Sequence, residues 1–178
     1  MDSNRLLVIT SAAAVMVLAM PAAAQQATAE MHAVSAEGIG EEVGTIQLAD
    51  SAEGLVIQTD LSGLPPGPHG FHLHSEGSCE PAQNDQGQMA AAMAAKGHYD
   101  PDNTKKHAGP EGDGHKGDLP VLEVATDGTA QVTLTAPRLK VADAEGRALM
   151  IHAGGDNYSD QPRPLGGGGA RIACGVVQ

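Results

Sequence analysis

The sequence contains histidines whose spacing suits metal binding. His72 and His74 lie two residues apart in the run HGFHLH. If that run is a strand, its side chains alternate between faces, so both imidazoles point to the same side and could chelate one ion. The same alternation places His69 on the opposite face, where we expect a structural role. One such histidine pair is only a weak indication of a metal site, so the prediction depends on whether further ligand-type residues accompany it.

Further ligand-type side chains follow at a distance from this pair. They are His98, His107, His115, Asp118 and His152. Three imidazoles with one carboxylate suit a closed tetrahedral zinc site, whereas an imidazole-rich planar or tetragonal set suits copper. The residue types therefore predict a metal site without naming the metals. His32 has no ligand partner near it in the sequence, and we expect it at the surface or on an edge strand.

Two long segments without a clear strand pattern carry most of these side chains. The first long loop extends from Gly77 to Asp118, and the glycine-rich loop from Gly154 to Ala170. Ordering a backbone costs about 1–2 kcal/mol per residue, and loops of such length are uncommon unless they are functional or disordered. We therefore expect a rigid scaffold that carries a site built from loops.

The segments around these loops alternate between apolar and polar residues, which is the period of a β-strand. Turn signals such as Asp127-Gly128 separate several of them. About eight short strands are predicted, and they indicate an all-β antiparallel sandwich or barrel. The segments are Met31–Ser35, Val43–Leu48, Leu55–Leu61, Phe71–His74, Leu119–Val124, Ala130–Leu134, Leu149–His152 and Arg171–Val177.

The first 24 residues are typical of an export signal. Arg5 precedes an apolar stretch over residues 6–20, and Pro21 and the small residues after it resemble a cleavage site. We expect cleavage near Ala24–Gln25, which would leave one domain over residues 25–178. A membrane anchor is the alternative, but the apolar stretch is short for a span.

Charge and cysteine content narrow the partners and the compartment. The formal charge of −12 argues against nucleic acid or an anionic membrane surface as partners. Once the signal is cleaved, no membrane partner is expected. Cys79 and Cys174 are the two cysteines, and an even count in an exported chain suggests one disulfide.

Seven strings in the sequence indicate a family. In chain order they are HGFHLH, GSC, KGHYDP, KHAGP, GHKGDLP, MIHAGGDN and ARIACGV. Together they resemble the Cu,Zn superoxide dismutase family, in particular its exported bacterial branch, from about residue 30 to the end. The resemblance implies an immunoglobulin-like, eight-stranded Greek-key β-sandwich or barrel that holds one copper and one zinc ion per chain.

The resemblance also implies roles for individual residues. The implied copper ligands are His72, His74, His98 and His152. The implied zinc ligands are His98, His107, His115 and Asp118, so that His98 would bridge the two ions. Asp156 matches a carboxylate that connects histidines of the two metal sites, Arg171 matches an arginine beside the copper, and Cys79 with Cys174 matches a disulfide.

The activity implied is the conversion of superoxide into O2 and H2O2 by Cu(II)/Cu(I) cycling, with His98 and Arg171 as catalytic residues. In the periplasm this would protect against extracytoplasmic superoxide. Since the substrate is an anion and the chain is negative, a local positive field must guide it. Lys96, Lys105 and Lys106 either assist Arg171 or are ordinary surface lysines.

Two other functions compete with this interpretation. A non-catalytic copper- or zinc-binding module on the same fold is expected to lack a copper ligand or the arginine, and here none is missing. An adhesion-type sandwich with incidental histidines would keep its loops ordered without metals. The sequence leaves open whether the chain is a monomer or a homodimer.

Overall fold

A computed structural model describes residues 25–178, so the expected export signal lies outside the described residues. The described part is nearly all β, which confirms the predicted fold class. Its strands are β1 (Gln26–Ser35), β2 (Gly38–Ser51), β3 (Gly54–Leu61), β4 (Gly67–His69), β5 (Phe71–His74), β6 (Ala82–Gln83), β7 (Met89–Ala90), β8 (Leu122–Val124), β9 (Thr133–Ala136), β10 (Ala148–His152) and β11 (Arg171–Val176). A short helix, α1 (Val141–Ala144), precedes β10, and 3-10 turns occur at Met93–Ala95 and Leu165–Gly167.

Seven strands form one antiparallel sheet in the order β5-β10-β11-β1-β2-β3-β9. The pairs β4-β8 and β6-β7 form two small additional sheets. The first strand pairs with the last, and His32 of β1 lies opposite Cys174 of β11. Within residues 25–178, no helix has the length and apolar character needed to cross a bilayer.

The core is aliphatic because alternate strand residues face inward. In β3, Leu55, Ile57 and Leu61 are buried, whereas Gln58 and Asp60 are exposed. Such burial stabilises the fold by roughly 25 cal/mol for each Å² of apolar surface removed from water. The scaffold beneath the site is therefore stabilised by aliphatic packing, as the alternation of apolar and polar residues in the sequence predicted.

Some predicted strands differ from the observed ones at their ends. The alternating segment over residues 130–134 yields a strand only from Thr133, because Ala130 makes an isolated bridge to Leu61 rather than a continuous ladder. β4, and β6 and β7 in the first long loop, were not predicted from the sequence, since strands of two or three residues are too short to show a period of two.

A disulfide joins Cys79 to Cys174 across 95 residues of sequence. It attaches the first long loop to β11, an interior strand of the sheet that begins with Arg171. The loop is therefore crosslinked to the sheet at its start, while its far end contacts β5 through the bridge between His72 and Asp118.

Candidate metal centre

Two adjacent strands and the first long loop bring four histidines together. His72 and His74 lie on β5, and His152 ends the neighbouring strand β10. His98 approaches from the loop and forms an isolated bridge with His74. One ligand atom from each of these four side chains lies within 4.8 Å of the others, and all four residues are buried. They are the residues implied as copper ligands.

A second group of ligand atoms surrounds Asp118. Its members are His72, His98, His107 and Asp118, again within 4.8 Å of one another. His115 is not a member, but its Nδ1 lies 3.4 Å from Asp118 Oδ1. That same oxygen lies 3.0 Å from Nδ1 of both His98 and His107. Zinc bonds of 2.0–2.1 Å in a tetrahedron imply ligand separations of about 3.3 Å, so these distances fit shared coordination.

The chemistry of the ring nitrogens also fits two metal ions. Within residues 25–178, six buried histidine nitrogens have no hydrogen-bond partner. A buried polar atom without a partner is unfavourable, so such a convergence calls for a ligand. The atoms are Nδ1 of His72, Nε2 of His74, Nε2 of His98, Nδ1 of His107, Nδ1 of His115 and Nε2 of His152. All six belong to the residues implied as copper or zinc ligands.

The second nitrogen of most of these rings is held in place. The carboxylate of Asp156 accepts from Nε2 of His72 at 2.8 Å and from Nε2 of His107 at 2.7 Å. Nδ1 of His74 donates to the carbonyl of Lys96 at 2.8 Å, and Nδ1 of His152 donates to that of Gly169 at 3.2 Å. Such contacts fix the tautomer and orientation of a metal-binding imidazole.

Burial keeps neutral the imidazoles of the first group, His72, His74, His98 and His152, which is called the copper group below after the metal that the resemblance implies. It lowers the pKa of His72 and His74 well below the ordinary value, and neighbouring His98 lowers both further. Burial likewise lowers the pKa of His98, and that of His152 to about 4. At neutral pH each of these rings therefore has a free lone pair for a metal ion.

The carboxylates create the opposite environment around His107. Burial alone would lower the pKa of His107, but Asp118 and Asp156 outweigh it and raise the pKa to about 9. Burial would also raise the pKa of both carboxyl groups. Hydrogen bonds from the surrounding imidazoles instead hold those pKa values well below the usual range. The part of the site around Asp118, called the zinc half below after the metal that the resemblance implies, thus carries the negative charges of the two carboxylates.

Arg171 is held beside the copper group by the first long loop. Its guanidinium donates to the carbonyls of Ala92 and Lys96, each at 2.5 Å. These two residues have φ of 50° and 64°, which side-chain-bearing residues rarely adopt, so the chain turns sharply on either side of the 3-10 segment. Burial lowers the pKa of Arg171 to about 10, which leaves it charged at neutral pH.

The three lysines named from the sequence have different surroundings. The ammonium of Lys106 pairs with Asp113. Lys105 and Lys96 are exposed, and the backbone of Lys96 carries the carbonyl that Arg171 and His74 share. Lys96 is therefore the lysine with a direct structural connection to the copper group.

His69 and His32 lie outside both ligand groups. The ring nitrogens of His69 lie 2.7 Å from the carbonyl oxygens of His152 and Pro65, so this buried ring braces the backbone behind the copper group. His32 is half-buried on β1, with Nδ1 3.4 Å from the carbonyl of Gly40.

Sequence reasoning missed residues that act on backbone groups. Asp160 accepts from the backbone N–H of His107 at 2.9 Å, and Arg138 donates to carbonyls of the turn before His115. No spacing or motif identifies such residues, because every residue of the chain offers a backbone partner.

Comparison with known proteins identifies relatives that cover most of the chain. The family profile described as "Copper/zinc superoxide dismutase (SODC)" matches residues 42–177. Cu-Zn superoxide dismutase 2 of Salmonella typhimurium is 57% identical over 150 residues, which are 84% of this chain and 86% of that protein. The Cu-Zn superoxide dismutase of Escherichia coli is 52% identical over 164 residues, with 92% and 94% covered.

Solved structures show the same fold. The Cu/Zn superoxide dismutase from Brucella abortus is 50% identical and superposes with a TM-score of 0.84 over 86% of this chain and 100% of that one. The solution structure of the monomeric copper, zinc superoxide dismutase from Salmonella enterica is 55% identical, with a TM-score of 0.77 and the same coverage.

Proposed function

This chain belongs to the copper/zinc superoxide dismutase family, and we propose which of its residues carry out the reaction. The chain is an oxidoreductase that acts on superoxide, with one copper and one zinc ion as its cofactors. Two superoxide ions and two protons give one O2 and one H2O2. The non-catalytic module is disfavoured by relatives that are themselves named as superoxide dismutases.

The observation that carries the assignment is the convergence of six unpartnered imidazole nitrogens on two points. We assign copper to His72, His74, His98 and His152, and zinc to His98, His107, His115 and Asp118. In this assignment only His98 belongs to both sets, since its Nε2 has no hydrogen-bond partner while its Nδ1 lies 3.0 Å from Asp118 Oδ1.

Copper, when bound, supplies the redox chemistry by taking an electron from one superoxide and giving it to a second. We assign to His98 the role of accepting and returning a proton in that cycle. Its Nε2 would hold a proton in the first half-reaction and return it in the second, while Nδ1 stays oriented towards Asp118. The lowered pKa of His98, caused mainly by burial, favours release of that proton at neutral pH.

Arg171 draws the anionic substrate to the copper group despite the net charge of −12. The local field of a charged cleft can raise association rates by 10–10³-fold. Close to the cleft, this field affects the substrate more than the net charge of the whole protein does. The guanidinium is fixed by the carbonyls of Ala92 and Lys96, so its charge is already in position before substrate arrives.

Zinc is assigned a structural role. Its four assigned ligands all lie in the first long loop, and binding it would hold together residues that no continuous strand pairing connects. Structural zinc binding contributes about 10–16 kcal/mol in small peptides, which is large enough to offset part of the cost of ordering this loop.

Metal analysis with a superoxide-decay assay tests the assignment. The protein over residues 25–178 is expected to contain one copper and one zinc and to be active. His152→Ala should lose copper and activity, whereas His32→Ala, a matched histidine outside both groups, should keep both. Full activity of His152→Ala would refute the copper assignment.

We also propose that the chain is exported to the periplasm and cleaved near Ala24–Gln25, leaving the domain over residues 25–178. The disulfide between Cys79 and Cys174 supports an oxidising compartment. The mass and N-terminal sequence of protein isolated from cells should correspond to a start at Gln25. Retention of residues 1–24 would contradict the cleavage.

The oligomeric state needs a separate measurement. The similar superoxide dismutase from Salmonella enterica is monomeric, and the sequence itself is compatible with a homodimer. We propose the monomer. Sedimentation of the metal-loaded protein over a range of concentrations should then give one chain mass throughout, and a concentration-dependent doubling would establish the homodimer.

A further inference from the structure

We propose that Arg138 is a positioning residue for the zinc half of the site and that it sets zinc affinity by holding the turn that carries His115. The inference rests on the zinc assignment proposed above. Arg138 is half-buried, lies two residues beyond the end of β9, and belongs to neither ligand group.

The guanidinium of Arg138 satisfies four backbone acceptors at once. Nε donates to Pro110 at 2.9 Å, and Nη1 donates to Gly114 at 2.9 Å. Nη2 donates to Gly109 at 3.1 Å and also to the carbonyl of His115. The planar fork of arginine, with its five N–H donors, is suited to such a set of carbonyls. One side chain thus connects both ends of the turn over residues 109–115.

This turn is compact, so its carbonyl groups have little room to turn towards other hydrogen-bond donors. A Cβ on Gly112 would lie 2.2 Å from the carbonyl oxygen of Ala108, and one on Gly114 would lie 2.3 Å from that of Lys106. The chain therefore approaches itself closely on both sides of the turn. Without the guanidinium, four negative carbonyl ends would converge with no cation between them, and the turn would open.

The turn matters because it ends in the zinc ligand with the fewest other supports. His107 is fixed through its backbone N–H by Asp160 and through ring Nε2 by Asp156. The ring of His115, within the described residues, contacts only one carboxylate, that of Asp118, at 3.4 Å.

The position of the His115 ring therefore depends on its backbone. The backbone N–H of His115 donates to Lys106 at 2.8 Å, and its carbonyl accepts from Arg138 and, at the long distance of 3.4 Å, from the backbone N–H of Asp118. Loss of the Arg138 contacts leaves the contact with Lys106 and this long one. His115 would then be the first zinc ligand to lose its place, while the copper group on β5 and β10 would stay unchanged.

Zinc affinity of the copper-free protein, measured by chelator competition, tests the proposal. Arg138→Gln should bind zinc about 10–100-fold more weakly, the range found when a group that orients a metal ligand is removed. Lys105→Gln is the matched control, since it removes one positive charge from an exposed side chain of the first long loop. It should leave zinc affinity unchanged.

Two readouts separate positioning from general stability. Cobalt(II) placed in the zinc site should show an altered visible spectrum in Arg138→Gln, because one ligand is displaced. Copper affinity should equal that of the wild type. If Arg138→Gln does not fold, Arg138→Lys replaces it in the test. This variant keeps the positive charge but loses the forked guanidinium, and it should bind zinc more weakly than the wild type.

Wild-type zinc affinity and an unchanged cobalt spectrum in the folded Arg138 variant, in a chain whose wild type binds zinc, would overturn this inference alone. A wild-type protein that bound no zinc would overturn both this inference and the zinc assignment.

Discussion

His152 and Arg171 are direct partners across the β10–β11 strand pair. The register shifts between Ile151 and His152, and such bulges redirect side chains at the ends of ladders. One copper-group imidazole and the cation proposed to guide the substrate therefore share a single position of the sheet. Arg171 in turn lowers the pKa of His152, after burial and other contacts.

Replacing Arg171 should slow turnover without removing metal. In Arg171→Ala both ions should stay bound, because the guanidinium contacts carbonyls of Ala92 and Lys96 rather than ring nitrogens. The superoxide rate at low salt should fall by about 10–10³-fold and depend less on ionic strength. Arg171→Lys should recover part of the rate. An unchanged low-salt rate in Arg171→Ala would remove this residue from the guidance of substrate.

His72 and His115 should control different metals. His72 belongs to both groups of ligand atoms, but only its Nδ1 is free, because Asp156 engages Nε2. We assign that nitrogen to copper. His115→Ala should therefore lower zinc content and keep copper, and His72→Ala should lower copper content and keep zinc. Loss of zinc with retention of copper in His72→Ala would show that His72 completes the zinc site instead.

Asp156→Asn should weaken at least one of the two metal sites. The carboxylate accepts from His72 and His107 with separate oxygens, whereas an amide offers one acceptor oxygen and an NH2 group that cannot accept. One imidazole therefore loses its partner, and affinity for at least one ion should fall about 10–100-fold. Asp102→Asn, an exposed change of equal charge in the first long loop, is the control and should alter neither affinity.

The metal-free protein should be most stable near pH 6.5. His72, His74, His98 and His152 have lowered pKa values when folded, that of His152 to about 4, so below about pH 6.5 the unfolded chain binds more protons. Their contribution is present above pH 6.5 and is lost as the pH falls. Each contributes a slope of up to about 1.4 kcal/mol per pH unit.

The raised pKa of His107 acts in the other direction, with stability lost as the pH rises from 6.5 through about 9. Urea unfolding of the metal-free protein from pH 4.5 to 9 measures the profile. Stability that increases as the pH falls below 6.5 would contradict the buried neutral histidines.

Removing the disulfide should loosen the support of Arg171. The Cys79→Ser, Cys174→Ser variant opens a loop of 95 residues, and its free energy of unfolding should fall by up to about 4.7 kcal/mol. Because Ala92 and Lys96 belong to the segment that the disulfide anchors, amide exchange over residues 79–97 should rise. Exchange equal to that of the wild type would mean that the zinc half alone holds this segment.

The sequence alone predicted the parts of the fold and site that depend on side-chain type and period. Alternation identified β3 and β5, and the parity of β5 placed His72 and His74 on the same face. It could not bring His152 next to them, because that requires the order of strands in the sheet, and the family resemblance supplied this residue.

The supports of the site were hidden for a different reason. Arg138, Arg171 and His74 all use backbone carbonyls as partners, and the direction of a carbonyl depends on local φ and ψ. Ala92 and Lys96 adopt positive φ angles that are unusual for these residue types, so the sequence does not predict the sharp turns there.

The pairing of β1 with β11 has a consequence for the order of folding. These two central strands come from opposite ends of the described domain, so their pairing is a contact of high sequence separation. Such contacts form slowly, because the long chain between them must first be closed into a loop. We therefore expect His152, on the strand beside β11, to join the other histidines of the site only when this late pairing forms.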